Sequence, residues 1–229
     1  MKRSNIEMLK TVAKALGDVG DRIVFVGGAT VHLYATSSSA PEPRPTMDVD
    51  CIVATASRTE YHALETEIRK RGFRNDQSEG APLCRWIYDD IKFDLMPTDS
   101  EILGFANEWY DDGIRHTIEL ALDDGQRIRI LDTPYFFATK LAALKNRGMS
   151  DLRTSTDLED MVFVLNNRSE VYDEIRAADD KVRNYLSRSF LELLSMDSIN
   201  EAIAAVLDYG EPLGTQRRIR GTMERIVSI

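Results

Sequence analysis

Asp48 and Asp50 stand two residues apart in Met47-Asp48-Val49-Asp50-Cys51-Ile52-Val53. This alternation of acidic and apolar residues reads as a strand with one buried face and one special face. The two-residue period of a strand puts both carboxylates on the same side. Carboxylates held that close repel each other, and a cation between them removes the cost. Hard oxygen ligands at this spacing suit Mg2+ or Mn2+ rather than zinc. Asp-x-Asp alone is also the ordinary look of a solvated strand or turn edge. A third carboxylate, Asp94, interrupts the apolar alternation of Ile91-Lys92-Phe93-Asp94-Leu95-Met96. It reads either as the exposed side of an antiparallel strand or as a third metal ligand or general base. Upstream, Ile23-Val24-Phe25-Val26 runs directly into Gly27-Gly28. Glycines between a strand and a helix let the backbone approach a phosphate, although Gly-Gly is also a plain tight turn.

The elements that must position these residues follow from periodicity. Ile6, Leu9, Val12, Ala13 and Leu16 have helical spacing, closed by Gly17 and Gly20. Ile23–Val26 is a buried strand and Ala29 to Ala35 a short helix. The Ser- and Pro-rich stretch Thr36 to Pro45 is a loop, followed by the acidic strand Met47 to Val53. Ser57 caps a helix to about Arg71, with Glu60 forming a capping box. Leu83–Tyr88 and Ile91–Met96 form a hairpin about Asp89-Asp90, and Thr117–Leu122 and Arg127–Leu131 another about Asp123-Asp124-Gly125. After Thr133 every pattern is helical. Pro134 opens a helix ended by Gly148, and Ser155 or Thr156 starts the next. Further helical patterns cover 171–194, 198–207 and 215–227. The expected fold class is α+β: a small mixed sheet with flanking helices in residues 1–131, then an all-helical region in 132–229.

The glycine turn, the Asp-x-Asp strand and the third strand aspartate together resemble the DNA polymerase β-like nucleotidyltransferase superfamily. The gap between Gly28 and Asp48 is long for that pattern, and the loop at 36–45 accounts for the extra length. A second set of residues narrows the resemblance. Lys140-Leu141-Ala142-Ala143, Asn146-Arg147-Gly148 and Asp157-Leu158-Glu159-Asp160, with Arg44-Pro45-Thr46-Met47-Asp48-Val49-Asp50 upstream, are similar to the AbiEii/AbiGii toxin-type (MenT-like) nucleotidyltransferases. The resemblance spans roughly Val24 to Asn167. It implies that Gly27 and Gly28 cradle the triphosphate and that Asp48 and Asp50 hold metal ions. Asp94 would ligate a second metal and help deprotonate the acceptor. Lys140 would contact the nucleotide phosphates, and Asp157 would orient Lys140 or another active-site group. Two departures concern the substrate: Gly-Gly-Ala replaces a Gly-Ser pattern, and Thr156 stands where relatives carry arginine, a part Arg147 or Arg153 would have to take. Read without the resemblance, Lys140 is either a lysine that snorkels from an apolar helix or an ammonium aimed at a triphosphate. Asp157 and Asp160 are carboxylates suited to a helix N-terminus, and Asp160 is assigned that structural role.

Composition bounds the partners. The chain has 229 residues, 43% hydrophobic and 29% charged, with a net charge of −9. That balance excludes a general nucleic-acid coat protein but allows RNA as a substrate through a local patch. Arg115, Arg127, Arg129, Lys140, Lys145, Arg147 and Arg153 could form one, or could be ordinary solvated charges. Cys51 and Cys84 read as buried thiols in a reducing compartment. Trp86 and Trp109 read as core anchors, and His32 as a packing residue. No leader-like run or membrane span is expected, and the location is taken as cytoplasmic. Two functions from different classes emerge. One is a metal-dependent nucleotidyltransferase of the toxin or defence type, acting on RNA (tRNA 3′ ends favoured) or on a protein hydroxyl. The other is a degenerate nucleotide- or partner-binding module of a toxin–antitoxin or phage-defence pair. A metal-dependent phosphohydrolase is less suited, because His32, His62 and His116 are scattered.

Overall fold

A computed structural model describes residues 3–147, 149, 151–207 and 214–229. The chain divides into two compact units, Met1–Thr30 with Arg44–Asp132, and Val31–Pro43 with Thr133–Ile229. The fold is α+β, with the sheet in the N-terminal region and a helical C-terminal part.

The first unit opens with α1 (Asn5–Leu16), whose N-terminus is closed by a reciprocal capping box between Ser4 and Glu7. A 3-10 turn at Gly17–Arg22 leads into β1 (Ile23–Val26), buried along its whole length. There follow β2 (Asp48–Val53), α2 (Arg58–Lys70), β3 (Arg74–Asn75), β4 (Arg85–Tyr88) and β5 (Ile91–Pro97). The short helices α3 (Ser100–Leu103) and α4 (Tyr110–Gly113) precede β6 (Thr117–Ala121) and β7 (Arg127–Leu131). The seven strands lie in the order β3-β4-β5-β2-β1-β7-β6. The β2–β5 and β1–β7 pairs are parallel and the others antiparallel. Val49, Cys51, Trp86, Phe93 and Leu95 are buried, and α1 packs against β2 and β5. The turn at Asp89-Asp90 puts both residues at positive φ, 45° and 63°, the conformation of a two-residue hairpin loop.

The short helix expected after Gly27 is present as a 3-10 helix, Gly28–Tyr34. One local expectation is corrected. At α2 only half of the expected capping box forms. Ser57 Oγ accepts from the Glu60 N–H, but the Glu60 carboxylate accepts from the Ala56 N–H instead of that of Ser57. The strand β3 and the helices α3 and α4 were not expected, because two to four residues are too few to show a period.

The second unit is built on α5 (Thr133–Arg147), buried almost all the way round. It packs against α6 (Thr156–Asn167), α7 (Val171–Ala177) and α8 (Asp180–Leu194), and α9 (Ile199–Ala205) and α10 (Thr215–Val227) complete the unit. Gly148, expected to end α5, lies outside the described residues. The single helical pattern at 171–194 is two helices, interrupted at Ala178 and Asp179. Residues 31–43 group with these helices, whereas the boundary drawn along the sequence kept them with the sheet. Their hydrogen bonds give the reason. The N–H groups of Thr36 and Ser37 donate to the Asn167 carbonyl, Arg168 donates to the Tyr34 carbonyl, and the Tyr34 ring lies 4.5 Å from Phe136. The loop that follows the 3-10 helix thus satisfies the orphan carbonyl at the end of α6. Among the described residues, no helix is long and apolar enough to cross a membrane.

Candidate active site

The acidic face of the sheet is assembled by register. Asp50 on β2 lies directly beside Asp94 on β5, and Asp94 directly beside Arg85 on β4. Asp48, two residues before Asp50, shares the face. One carboxylate oxygen from each of Asp48, Asp50 and Asp94 lies within 4.8 Å of the others. Oxygens on opposite sides of a Mg2+ ion are about 4.2 Å apart, from a metal–oxygen distance of about 2.1 Å. Adjacent oxygens on such an ion are about 3 Å apart, so carboxylates spread as widely as 4.8 Å would have to draw together to share one hard cation. An all-oxygen donor set of this kind fits Mg2+ or Mn2+. Asp94 is the most enclosed of the salt-bridged pair, its side chain 9% exposed against 30% for Asp48.

Arg85 was not singled out in the sequence, and it sits on this cluster. Its Nε donates to one Asp94 oxygen at 2.7 Å and its Nη2 to the other at 2.6 Å. The same Nη2 donates to Asp48 at 3.0 Å. The hydrogen bonds to Asp94 raise the arginine's pKa further above its ordinary value, against the opposing effect of burial. A usable signal was present. In a hairpin turning on Asp89-Asp90, facing residue numbers have a constant sum, so Tyr88 meets Ile91 and Arg85 meets Asp94. Lys92 shares the face too, in register with Asp48.

Gly27 is tied to the cluster by space as well as by conformation. Its φ is +75°, and a Cβ there would overlap the Asp50 carboxylate. The backbone therefore passes against Asp50 as only glycine allows. The turn is closed by Thr30, buried, whose hydroxyl donates to the Gly27 carbonyl at 2.9 Å. The start of β2 is anchored in turn. The Thr46 N–H donates to the side-chain carbonyl of buried Asn5, whose amide donates to the Arg44 carbonyl, and the Thr46 hydroxyl donates to the Asp48 carbonyl. Neither Asn5 nor Thr30 has a pattern in the sequence that marks it for this work.

Burial pushes the thiols beside this face up. Cys51 is raised well above the ordinary range, and Cys84 to about 12, with the negative charge of Asp94 adding to the effect of burial in both. A separate cavity lined by Thr55, Glu60, Thr98 and Asp99 borders the residues that follow β2 and β5, and the three cluster aspartates do not line it.

In the helical unit, Lys140 sits in the middle of α5 with its side chain 9% exposed. It does not snorkel to solvent. Its Nζ donates to Asp160 at 2.5 Å and to Asp157 at 3.4 Å, and Arg147 pairs with the other Asp157 oxygen. Asp160, read as a helix-terminus residue, is thus the closer partner of Lys140. The cap of α6 is Ser155, whose Oγ accepts from the Leu158 N–H.

The basic residues near 115–153 are tied into pairs. Arg115 meets Asp111 and Asp112, Arg127 meets Glu119, Lys145 meets Glu192, and Arg153 meets Glu201. Arg129 donates to the Asp21 carbonyl. Arg115, Arg127, Lys145 and Arg153 are thus each paired with a carboxylate, whereas Arg129 meets a neutral carbonyl. A scan against protein-family models returned no matching family, and a search of curated proteins returned no matching relative.

Proposed function

We propose that this chain is a metal-dependent nucleotidyltransferase. It would move a nucleoside monophosphate from a nucleoside triphosphate to an acceptor hydroxyl, an RNA or tRNA 3′ end being the favoured acceptor and a protein hydroxyl the other. The observation that carries the reading is the convergence of Asp48, Asp50 and Asp94 from two adjacent parallel strands onto one point. The Gly27 backbone lies directly against that point. Like charges side by side across a strand pair are destabilising, so a fold that sets Asp50 beside Asp94 invites a cation. When bound by these aspartates, Mg2+ or Mn2+ would increase the acidity of the acceptor hydroxyl and neutralise charge on the triphosphate.

The residues of the chain supply the rest. Asp48 and Asp50 present their carboxylates from a strand with a fully buried opposite face, which fixes their separation. Gly27 keeps the space beside Asp50 clear of side-chain atoms. In the transfer itself, the acceptor oxygen forms a bond to the α-phosphorus and the bond from that phosphorus to the bridging oxygen breaks. Pyrophosphate leaves, and the hydroxyl proton passes to a carboxylate of the cluster. The toxin- or defence-type assignment, with an antitoxin partner, rests on the resemblance of the Lys140 to Asp160 region.

The test is direct. The protein is incubated with Mg2+, each labelled nucleoside triphosphate in turn and total bacterial RNA, beside an Asp48→Ala/Asp50→Ala control. Label entering RNA or a protein band only with the intact aspartates supports transfer. One observation favours a second reading, a degenerate nucleotide- or partner-binding module: Arg85 already neutralises Asp94 without a metal ion. Nucleotide bound with neither label transfer nor pyrophosphate release would select that reading.

A further inference from the structure

The transfer reading leaves Arg85 without a task, yet few side chains on the sheet are held more firmly. Both oxygens of Asp94 accept from its guanidinium, at 2.7 and 2.6 Å, and Asp48 accepts from the same Nη2 at 3.0 Å. A fork-on-carboxylate pair is the strongest form of charge-assisted hydrogen bond. The arginine side chain is 17% exposed. Its backbone is fixed by the β4–β5 hairpin, which makes Arg85 and Asp94 facing partners. The pair is therefore built by the hairpin register and is not a rotamer chosen at a free surface. An arginine also keeps its charge at any pH at which the protein is folded. A cation approaching Asp94 meets that charge on the flank of the carboxylate, and like charges at such a distance repel strongly where water is partly excluded.

We propose that Arg85 is a resident cation standing where a second metal ion would otherwise sit. The acidic face then takes a single divalent cation, held through Asp48 and Asp50, while Asp94 stays on the guanidinium. The proposal rests on the nucleotidyl-transfer reading for the purpose of the ion, but it is read by metal binding alone. It separates two kinds of aspartate in one cluster. Asp48 and Asp50 are metal ligands, and Asp94 is a positioning residue that holds Arg85 against the site. It also gives Arg85 a purpose in both directions: its charge screens the repulsion between Asp94 and Asp50 when no ion is present, and it stays to face the phosphates when one is.

The experiment is a Mn2+ titration of the full chain without nucleotide, following the free-ion signal by electron paramagnetic resonance. The wild-type protein is expected to saturate at one ion. Arg85→Gln frees Asp94 and is expected to take up a second. Arg85→Lys, which keeps the charge and guards against a folding defect in the first variant, is expected to stay at one. Removing the pair as a unit, Arg85→Gln with Asp94→Asn, is expected to keep one ion bound, with an affinity changed by the loss of the Arg85 contact to Asp48. Lys92→Gln, which removes a charge from the same face without touching the pair, is expected to leave the count at one. Two ions on the wild-type protein, or loss of the ion in the double variant, overturns the proposal and leaves the transfer reading standing. No ion on any variant, Arg85→Gln included, overturns the metal site itself and this proposal with it.

Discussion

The molecule holds two clusters of carboxylates met by cations, one in each unit, and they are built on opposite principles. In the helical unit, Asp157 and Asp160 come from one turn of α6 and are nearly sealed, 4% and 1% exposed. A cation lies at 2.5 Å from each, Lys140 for Asp160 and Arg147 for Asp157. In the sheet unit, three carboxylates come from two neighbouring strands, Asp50 and Asp94 paired in register and Asp48 two residues along the same face. Asp48 there keeps 30% of its side chain open to water. A sealed set with matched partners is what a buried lysine in a packed helix requires, because an unpaired buried charge is costly. In the sheet set one cation, Arg85, serves two carboxylates, Asp48 and Asp94, and the like charges set side by side across the strands cost stability. On the transfer reading, the difference separates a cluster that serves the fold from one that serves a ligand.

The comparison is put under most strain by removing the acidic face. Asp48→Ala/Asp50→Ala is expected to lower label transfer by about 10³-fold or more, since metal electrostatics supply several kcal/mol and each ~1.4 kcal/mol is tenfold. The same substitution relieves like-charge repulsion and is expected to leave the urea midpoint unchanged or higher. A large loss of stability would mean that these aspartates serve the fold and would erase the contrast.

The helical cluster should respond in the reverse sense. Lys140→Ala leaves Asp160 without its closest cation in a nearly water-free site. Breaking a buried pair from one side typically costs about 3–5 kcal/mol, so a clear drop in denaturation midpoint is expected. Lys140→Met, which keeps the volume, should be the milder change if packing is part of the cost. Where Lys140→Met is folded, its transfer rate tests the phosphate contact implied by the resemblance: an undiminished rate would confine Lys140 to the ion network.

Gly27→Ala is expected to have a smaller effect than either. A left-handed backbone costs a residue with a Cβ roughly 1–2 kcal/mol, and the new methyl group collides with the Asp50 carboxylate. A shift of about 1 Å in a catalytic group can cost about 10²-fold in rate. Transfer is thus expected to fall by about that much while the fold survives. Full activity would show that Asp50 has room to move and that the glycine is only a turn former.

The acidic face was legible in the sequence because its information is local. Asp48 and Asp50 show their shared face through a two-residue period, and Gly27 follows a four-residue apolar run. The hairpin of β4 and β5 was legible through Asp89-Asp90, and with it, in principle, the partnership of Arg85 and Asp94. The parallel pairing of β2 with β5 was not, because no turn links those strands and no residue pattern fixes their register. Asn5 and Thr30 act through backbone partners that leave no period to read. The same limit explains Asp160. It looked like any carboxylate in the first turns of a helix, and only the burial of Lys140 on a different helix gives it a distinct task. The segment 36–45 was read as a loop and is one, but the tie of Thr36 and Ser37 to the helical unit depends on the Asn167 carbonyl, more than a hundred residues away.

The smallest expected effect concerns two thiols near the acidic cluster, Cys51 on β2 and Cys84 in the turn before β4. Burial, aided by Asp94, pushes Cys84 up to about 12, and burial raises Cys51 strongly as well. A thiol whose folded value is raised is protonated more readily in the native state than in the unfolded chain. Its contribution to stability is therefore complete below its ordinary value of 9.0 and fades as pH climbs from there toward about 12. At pH 8 the native protein should leave both thiols unalkylated by iodoacetamide, and unfolding in urea should expose both. Cys84→Ala should flatten part of the stability loss above pH 9 and change little below it. Rapid alkylation of the native protein at pH 8 would show that the strands beside the cluster open readily, and the fixed carboxylate spacing on which the sheet site depends would lose its support.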